Sequence, residues 1–184
     1  MADGLFYLDT REPHFVSNLG AITMTTTAKA MYTAASFPTL GAGYFSRPGK
    51  AIKISCSMLF TLPSSPGNLS FNVLWGTGAD ANGTLLMTGT PVAATNATKR
   101  AYLEVVVRCI TTGTSGSLEV TGWAIADIGL IASSLASPMM MPTGAAAAAV
   151  TADTTASNII SIQPLQSGTA GTVTVDWLQV EALN

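Results

Sequence analysis

Acid–base or nucleophilic catalysis needs a base within reach of a nucleophile or a second acid, and this sequence offers few such groups. Its one histidine, His14, follows Pro13 near the N-terminus, where a surface imidazole is the expected role. No Gly-x-Ser-x-Gly elbow occurs. Residues 112–117 have the glycines and hydroxyls of a phosphate loop but neither its lysine nor a following helix, so they read as a hairpin turn. Residues 76–83 space Asp80 and Asn82 like a calcium loop, yet supply one carboxylate and no downstream bidentate glutamate. A glycosidase-type carboxylate pair would have to come from separate strands, for example from Glu104, Glu119 or Asp176. Those three sit on polar strand faces, which predicts solvated or ion-paired side chains, and Arg108 is spaced to meet Glu119 across a hairpin. The two cysteines, Cys56 and Cys109, fall inside apolar alternating segments and read as buried small hydrophobes. They allow one disulfide at most and no metal framework. The expectation is a protein without catalytic, metal or cofactor chemistry.

The elements that would position any site are strands. Residues 51–62 alternate, with Ile52, Ile54, Cys56, Met58 and Phe60 on one face and Lys53, Ser55 and Ser57 on the other. Segments 69–75, 102–110, 118–125, 157–163 and 172–182 follow the same period, the last with Val173, Val175 and Trp177 expected on one side. Weaker candidates lie at 22–27, 30–34 and 85–88, for about eight strands in all. Gly- and Pro-containing turns separate the runs, at 47–50, 63–68, 82–83, 112–116 and 167–171. That spacing belongs to a sandwich or barrel. Five alanines at 145–149 have helix propensity but are too few to nucleate a helix, so strand or loop is expected there.

Composition narrows the function classes. Of 184 residues only 10% are charged while 48% are hydrophobic, and the net charge is −2. Globular chains carry about 25% charge. The shortfall is filled by 27 alanines, 25 threonines and 17 glycines. A nucleic-acid binder needs a basic stripe to displace counterions, and none is present. No run approaches the roughly 20 continuous apolar residues of a membrane span, and residues 1–10 lack the basic start of a secretory signal. Synthesis in a cytoplasm is expected, with no membrane or nucleic-acid partner.

Two regions stand outside the alternating pattern. Residues 1–19 contain the apolar cluster Leu5, Phe6, Tyr7 and Leu8, then Phe15. They read either as an arm preceding a single β domain over 20–184 or as that domain's first strand. Residues 138–142 set Met139, Met140 and Met141 between two prolines, which excludes a helix interior. They would make an adaptable contact surface or a buried plug.

Several strings carry a resemblance: SFPTLGAGYF at 36–45, RPGKAIKI at 47–54, WGTGADANGTLL at 75–86, LEVVVRC at 103–109, TGTSGSL at 112–118 and VTVDWLQVEALN at 173–184. From about Ala21 to the end the chain resembles small virion structural proteins of tailed bacteriophages, of the capsid-decoration and head-fibre kind. The resemblance implies an all-β, antiparallel, jelly-roll-like sandwich, non-enzymatic and bound to the major capsid protein on the outer surface of the virion. It also implies a homo-oligomer, commonly a trimer. The N-terminal segment matches least, which suits an arm fitted to one shell, and Leu5, Phe6, Tyr7, Leu8 and Phe15 are the candidate capsid contacts. Low charge independently suits repeated contacts, because charge is depleted at interface cores. Tyr102, Val106 and Ile110 share a face with Glu104 and Arg108, and Trp123 and Ile125 with Glu119 and Thr121. These five are candidate oligomer-interface residues, the alternative being a second packed layer within the subunit. The other functional reading is a tail-fibre or collar module that binds host-surface carbohydrate through Trp75 or Trp123.

Overall fold

Alternating apolar residues in long runs have to bury one face each, and in the computed structural model they do so between two antiparallel sheets. The structure describes residues 14–17, 19–27, 29–32, 36–77, 83–126, 137–141 and 148–183. The strands are β1 (His14–Ser17), β2 (Ala21–Met24), β3 (Ala51–Leu62), β4 (Asn68–Gly76), β5 (Thr84–Thr88) and β6 (Val92–Ala93). They continue as β7 (Ala97–Thr111), β8 (Ser117–Ala126), β9 (Ser137–Met141), β10 (Val150–Thr151), β11 (Ile159–Gln166) and β12 (Gly171–Leu183). The large sheet runs β1-β12-β3-β7-β8-β10, with β2 also on β12 and β9 also on β8. The small sheet runs β11-β4-β5, with β6 on β4.

The fold is all-β and jelly-roll-like, as expected. The hairpins β4–β5 and β7–β8 stay within a sheet, whereas β3–β4, β6–β7, β10–β11 and β11–β12 cross between sheets. The last strand therefore lies beside the first long one, β12 against β3 over most of their length. The strands beyond the eight expected are short pieces at the sheet edges. No helix among the described residues is long and apolar enough to cross a membrane.

The faces assigned by alternation hold for β3, β4, β7 and β8. Ile52, Ile54, Cys56, Met58 and Phe60 pack with Leu103, Val105, Val107 and Cys109 against Leu69, Phe71, Val73 and Trp75 of the small sheet. Both cysteines are buried and free, and burial pushes the Cys56 thiol well up from its ordinary pKa. The 30–34 candidate forms no strand over its described residues 30–32. Met31 and Tyr32 are buried there, and the Tyr32 hydroxyl accepts from Ile162 N (3.0 Å) and donates to the Ile160 carbonyl. Thr25 and Met31 thereby lie along the free edge of β11, with Met31 N donating to Ile162 O and Gln166 N to Thr25 O.

Register shifts interrupt the β4–β5, β7–β8 and β12–β3 pairings, and the one in β12 changes the side expected for Trp177. Val175 pairs with Met58 and Trp177 with Ser57, so Asp176 is an extra residue in a β-bulge. Val173, Val175, Leu178 and Val180 are all buried, while Asp176 and Trp177 both lie on the outer face. Trp177 is thus not on the side of Val173 and Val175. The spacing of three between Val175 and Leu178, where two is normal, is the physical mark of the bulge.

The N-terminal region and the methionines also join sheets. His14–Ser17 pair with β12 from Val180 to Trp177, so residues 14–17 of the expected arm are an edge strand. Residues 1–13, with Leu5, Phe6, Tyr7 and Leu8, lie outside the described residues. Most of the alanine run lies outside them too. Met139, Met140 and Met141 belong to β9, whose backbone pairs with the edge of β8, Met140 opposite Trp123. Pro138 is tolerated there because an edge strand can forgo one donor.

Candidate interaction surface

The outer face of the large sheet gathers most of the candidates. Because β-strand neighbours align across the sheet, four rings from four strands meet in one row. Phe15 (β1) stacks on Trp177 (β12) with centroids 6.2 Å apart and planes at 18°. Trp177 lies 5.9 Å from Tyr102 (β7), and Tyr102 lies 5.3 Å from Trp123 (β8). Ser57 of β3 sits between Trp177 and Tyr102 in the register, and its small side chain lets the two rings touch across an intervening strand. Ile125 is the direct partner of Tyr102 and closes the row at the β8 end. Phe15 is 60% exposed and Ile125 41%, and Tyr102, Trp123 and Trp177 are half-buried.

Val106 lies on the same face farther along β7 and Ile110 is the extra residue of a bulge between Cys109 and Thr111, about 13 and 26 Å from Tyr102 at about 3.3 Å per residue. Both are half-buried. Charged pairs flank them. Lys53 Nζ meets Glu181 Oε2 at 2.7 Å beside Val106, and Arg108 Nη2 meets Glu119 Oε1 at 2.8 Å between Val106 and Ile110. The Arg108–Glu119 pairing across the hairpin is the one expected from the sequence. The hydrogen bond from Lys53 to Glu181 holds the lysine above its ordinary pKa. On the far side of the rings Arg100 pairs with Asp176, which also accepts from Ser57 Oγ at 3.3 Å. No described strand is stacked on this face.

The structure therefore brings Tyr102, Trp123 and Ile125 together with Phe15, which had been assigned to a different contact. It places Val106 diagonally beside Trp123, leaves Ile110 farther along β7, and adds Trp177, whose side the bulge changes. Of the carboxylates considered for catalysis, Glu119 and Asp176 are held by arginines on this face, and Glu104 lies opposite Trp123.

Trp75 does not present a ring for binding. It is 3% exposed, packs on Phe45 at 5.5 Å, and donates its indole N–H to the Asp153 carbonyl at 2.8 Å. An open cleft beside it is bordered by Thr77, Thr84, Asp153 and Asn158. The Asp153 carboxylate is already engaged by the hydroxyl and amide of Thr155, which hold it below its ordinary pKa. Among the described residues no group of three or more His, Cys, Asp or Glu side chains could hold a metal ion.

No protein-family model matches the sequence, and no curated protein matches it. A solved structure of infectious bursal disease virus, Gx strain, aligns at 10% identity over 95% of this chain and 42% of that one, with a TM-score of 0.21. This chain spans less than half the length of that protein, and the score is too low to indicate a shared fold.

Proposed function

We propose that this chain is a non-enzymatic virion structural protein, a capsid decoration protein that attaches to the outside of a tailed-phage shell as a trimer. The observation that carries the reading is the outer face of the large sheet. There Val106 and Ile110 stay half-buried within the subunit, on a chain that is only 10% charged. Apolar side chains on a sheet face with no described strand stacked above them are what an intersubunit contact buries. Threefold association is closed and heterologous, so the Val106–Ile110 end of one copy would meet a different surface of the next. The likeness of segments 36–54, 75–86 and 103–118 to phage decoration proteins supports the virion setting. Capsid attachment is assigned to the residues preceding β1, which include Leu5, Phe6, Tyr7 and Leu8. Protein bound only to the assembled lattice stabilises that lattice by mass action.

Two measurements test this on the full chain. Light scattering gives the molar mass, expected at three copies and expected to fall to one in Val106→Glu. Imaging of virions carrying a labelled copy is expected to place the label on the shell, and deleting residues 2–13, which spares β1, is expected to remove it. A monomeric wild type, or a label confined to the tail, refutes the proposal.

A further inference from the structure

The aromatic row calls for an occupant of its own. It crosses five strands, β1-β12-β3-β7-β8, which at about 4.8 Å per strand makes a strip about 19 Å long. Its rings brace one another, Phe15 on Trp177, Trp177 on Tyr102 and Tyr102 on Trp123, so little side-chain freedom remains to be lost on binding. The rings follow the twist of the sheet, with Trp177 and Tyr102 at 55° and Tyr102 and Trp123 at 43°, and the outermost ring, Phe15, is 60% exposed. Hydrogen-bonding side chains line both long sides. Arg100, Asp176 and Ser57 lie on one side, and Glu104, with Gln179 bonded to Glu181, on the other.

Aromatic rings can stack against nucleobases or against sugar rings, and charge decides between those two, while burial by a second copy is read from the molar mass. The described outer face carries the cations Lys53, Arg100 and Arg108 against the carboxylates Glu104, Glu119, Asp176 and Glu181, an excess of one negative charge. Each cation is already paired with a carboxylate. A single-stranded nucleic acid needs a positive groove beside its stacking platform, and an acidic polymer would be repelled. An uncharged glycan fits both features. The C–H faces of its pyranose rings lie on the aromatic strip, and its hydroxyls exchange donors and acceptors with the bordering arginine, carboxylates and amide.

We propose that Phe15, Trp177, Tyr102 and Trp123 form a binding platform for a neutral oligosaccharide chain laid across the strands of the large sheet. The platform adjoins the Val106 end of the same face; the proposal goes beyond the structural role and holds wherever on a particle the protein sits.

Affinity gel electrophoresis of the full chain tests this against three neutral polysaccharides, a β-glucan, a galactomannan and an arabinogalactan, with heparin and oligo(dT) as anionic probes. At least one neutral polymer is expected to retard the protein. Tyr102→Ala and Trp177→Ala are each expected to weaken that binding at least tenfold at unchanged molar mass. Phe15→Ala, at the exposed end of the row, provides a variant free of core contacts and is expected to weaken binding several-fold. Retardation by none of the neutral polymers, retardation by the anionic probes alone, or binding that survives all three substitutions overturns the proposal. A fall in molar mass in the Tyr102 and Trp177 variants overturns it as well, because the row would then be a contact between copies. Failure of the trimer itself shows in the wild-type mass and leaves the glycan result readable on its own.

Discussion

Two aromatic clusters in this molecule use the same ring types at similar separations and do opposite things. Inside the sandwich, Tyr44, Phe45 and Trp75 follow one another at 5.1 and 5.5 Å. Outside, Phe15, Trp177, Tyr102 and Trp123 follow one another at 5.3 to 6.2 Å. Ring contact therefore does not separate core from surface. The difference lies in what surrounds the rings. Phe45 and Trp75 are at most 3% exposed, and the Trp75 N–H is satisfied by a backbone carbonyl. Lys50 covers the Tyr44 ring at 4.2 Å, and burial pushes the Tyr44 hydroxyl up to about 12. The outer rings keep faces open to solvent and have paired charges along their borders. One cluster stabilises the fold, and the other leaves surface available for a partner.

Substitution separates the two most sharply at the tryptophans. Trp75→Ala removes a buried indole that packs on Phe45 and leaves the Asp153 carbonyl without its donor, so a loss of about 3–5 kcal/mol is expected in urea denaturation. A variant as stable as the wild type would show that the inner cluster is not part of the core's support.

A smaller effect is expected where both kinds of packing meet. Gly122 pairs with Val105, and a Cβ there would lie 2.3 Å from the Glu104 carbonyl oxygen and 3.0 Å from the Val105 Cα. Both contacts are with backbone, so Gly122→Ala must push β7 and β8 apart. A cost of about 1–3 kcal/mol follows from overpacking of this kind. Trp123, the next residue, should shift away from Tyr102, so glycan retardation should weaken together with stability. Trp177→Ala should show the reverse balance, losing about 1 kcal/mol of ring contact but most of the binding. Equal destabilisation by Trp75→Ala and Trp177→Ala would erase the distinction between the clusters.

Much of this contrast was legible in period-2 alternation. It places Trp75 with Leu69, Phe71 and Val73 in the core, and Trp123 with Glu119 and Thr121 outside, and both assignments match the structure. Trp177 was hidden because one inserted residue, Asp176, reverses the phase of everything after it. The row itself was hidden for another reason. Phe15 and Trp177 meet only because β12 is inserted between β1 and β3, and strand order is set by long-range pairing that no local pattern encodes. Trp75 could be mistaken for a binding residue because its position near a strand end says nothing of the Asp153 carbonyl that occupies its N–H.

The ion pair beside Val106 should make the smallest difference, and its pH dependence identifies it. Lys53 and Glu181 meet at 2.7 Å with both side chains 30% exposed, so solvent screens the pair and its worth is about 0.2–1 kcal/mol. The glutamate hydrogen bond raises the Lys53 pKa on folding. A cationic group whose pKa is raised in the folded state contributes its full stabilisation below the unfolded value, about 10.4 for lysine, and loses it as pH rises through the folded value. Glu181→Gln should therefore be slightly less stable than the wild type at neutral pH, with the gap constant to about pH 10 and closing above it. Glycan binding should change little, because the pair lies on the Val106 side of the face. A gap that stays open at high pH would mean that the glutamate acts through packing and not through the lysine's charge.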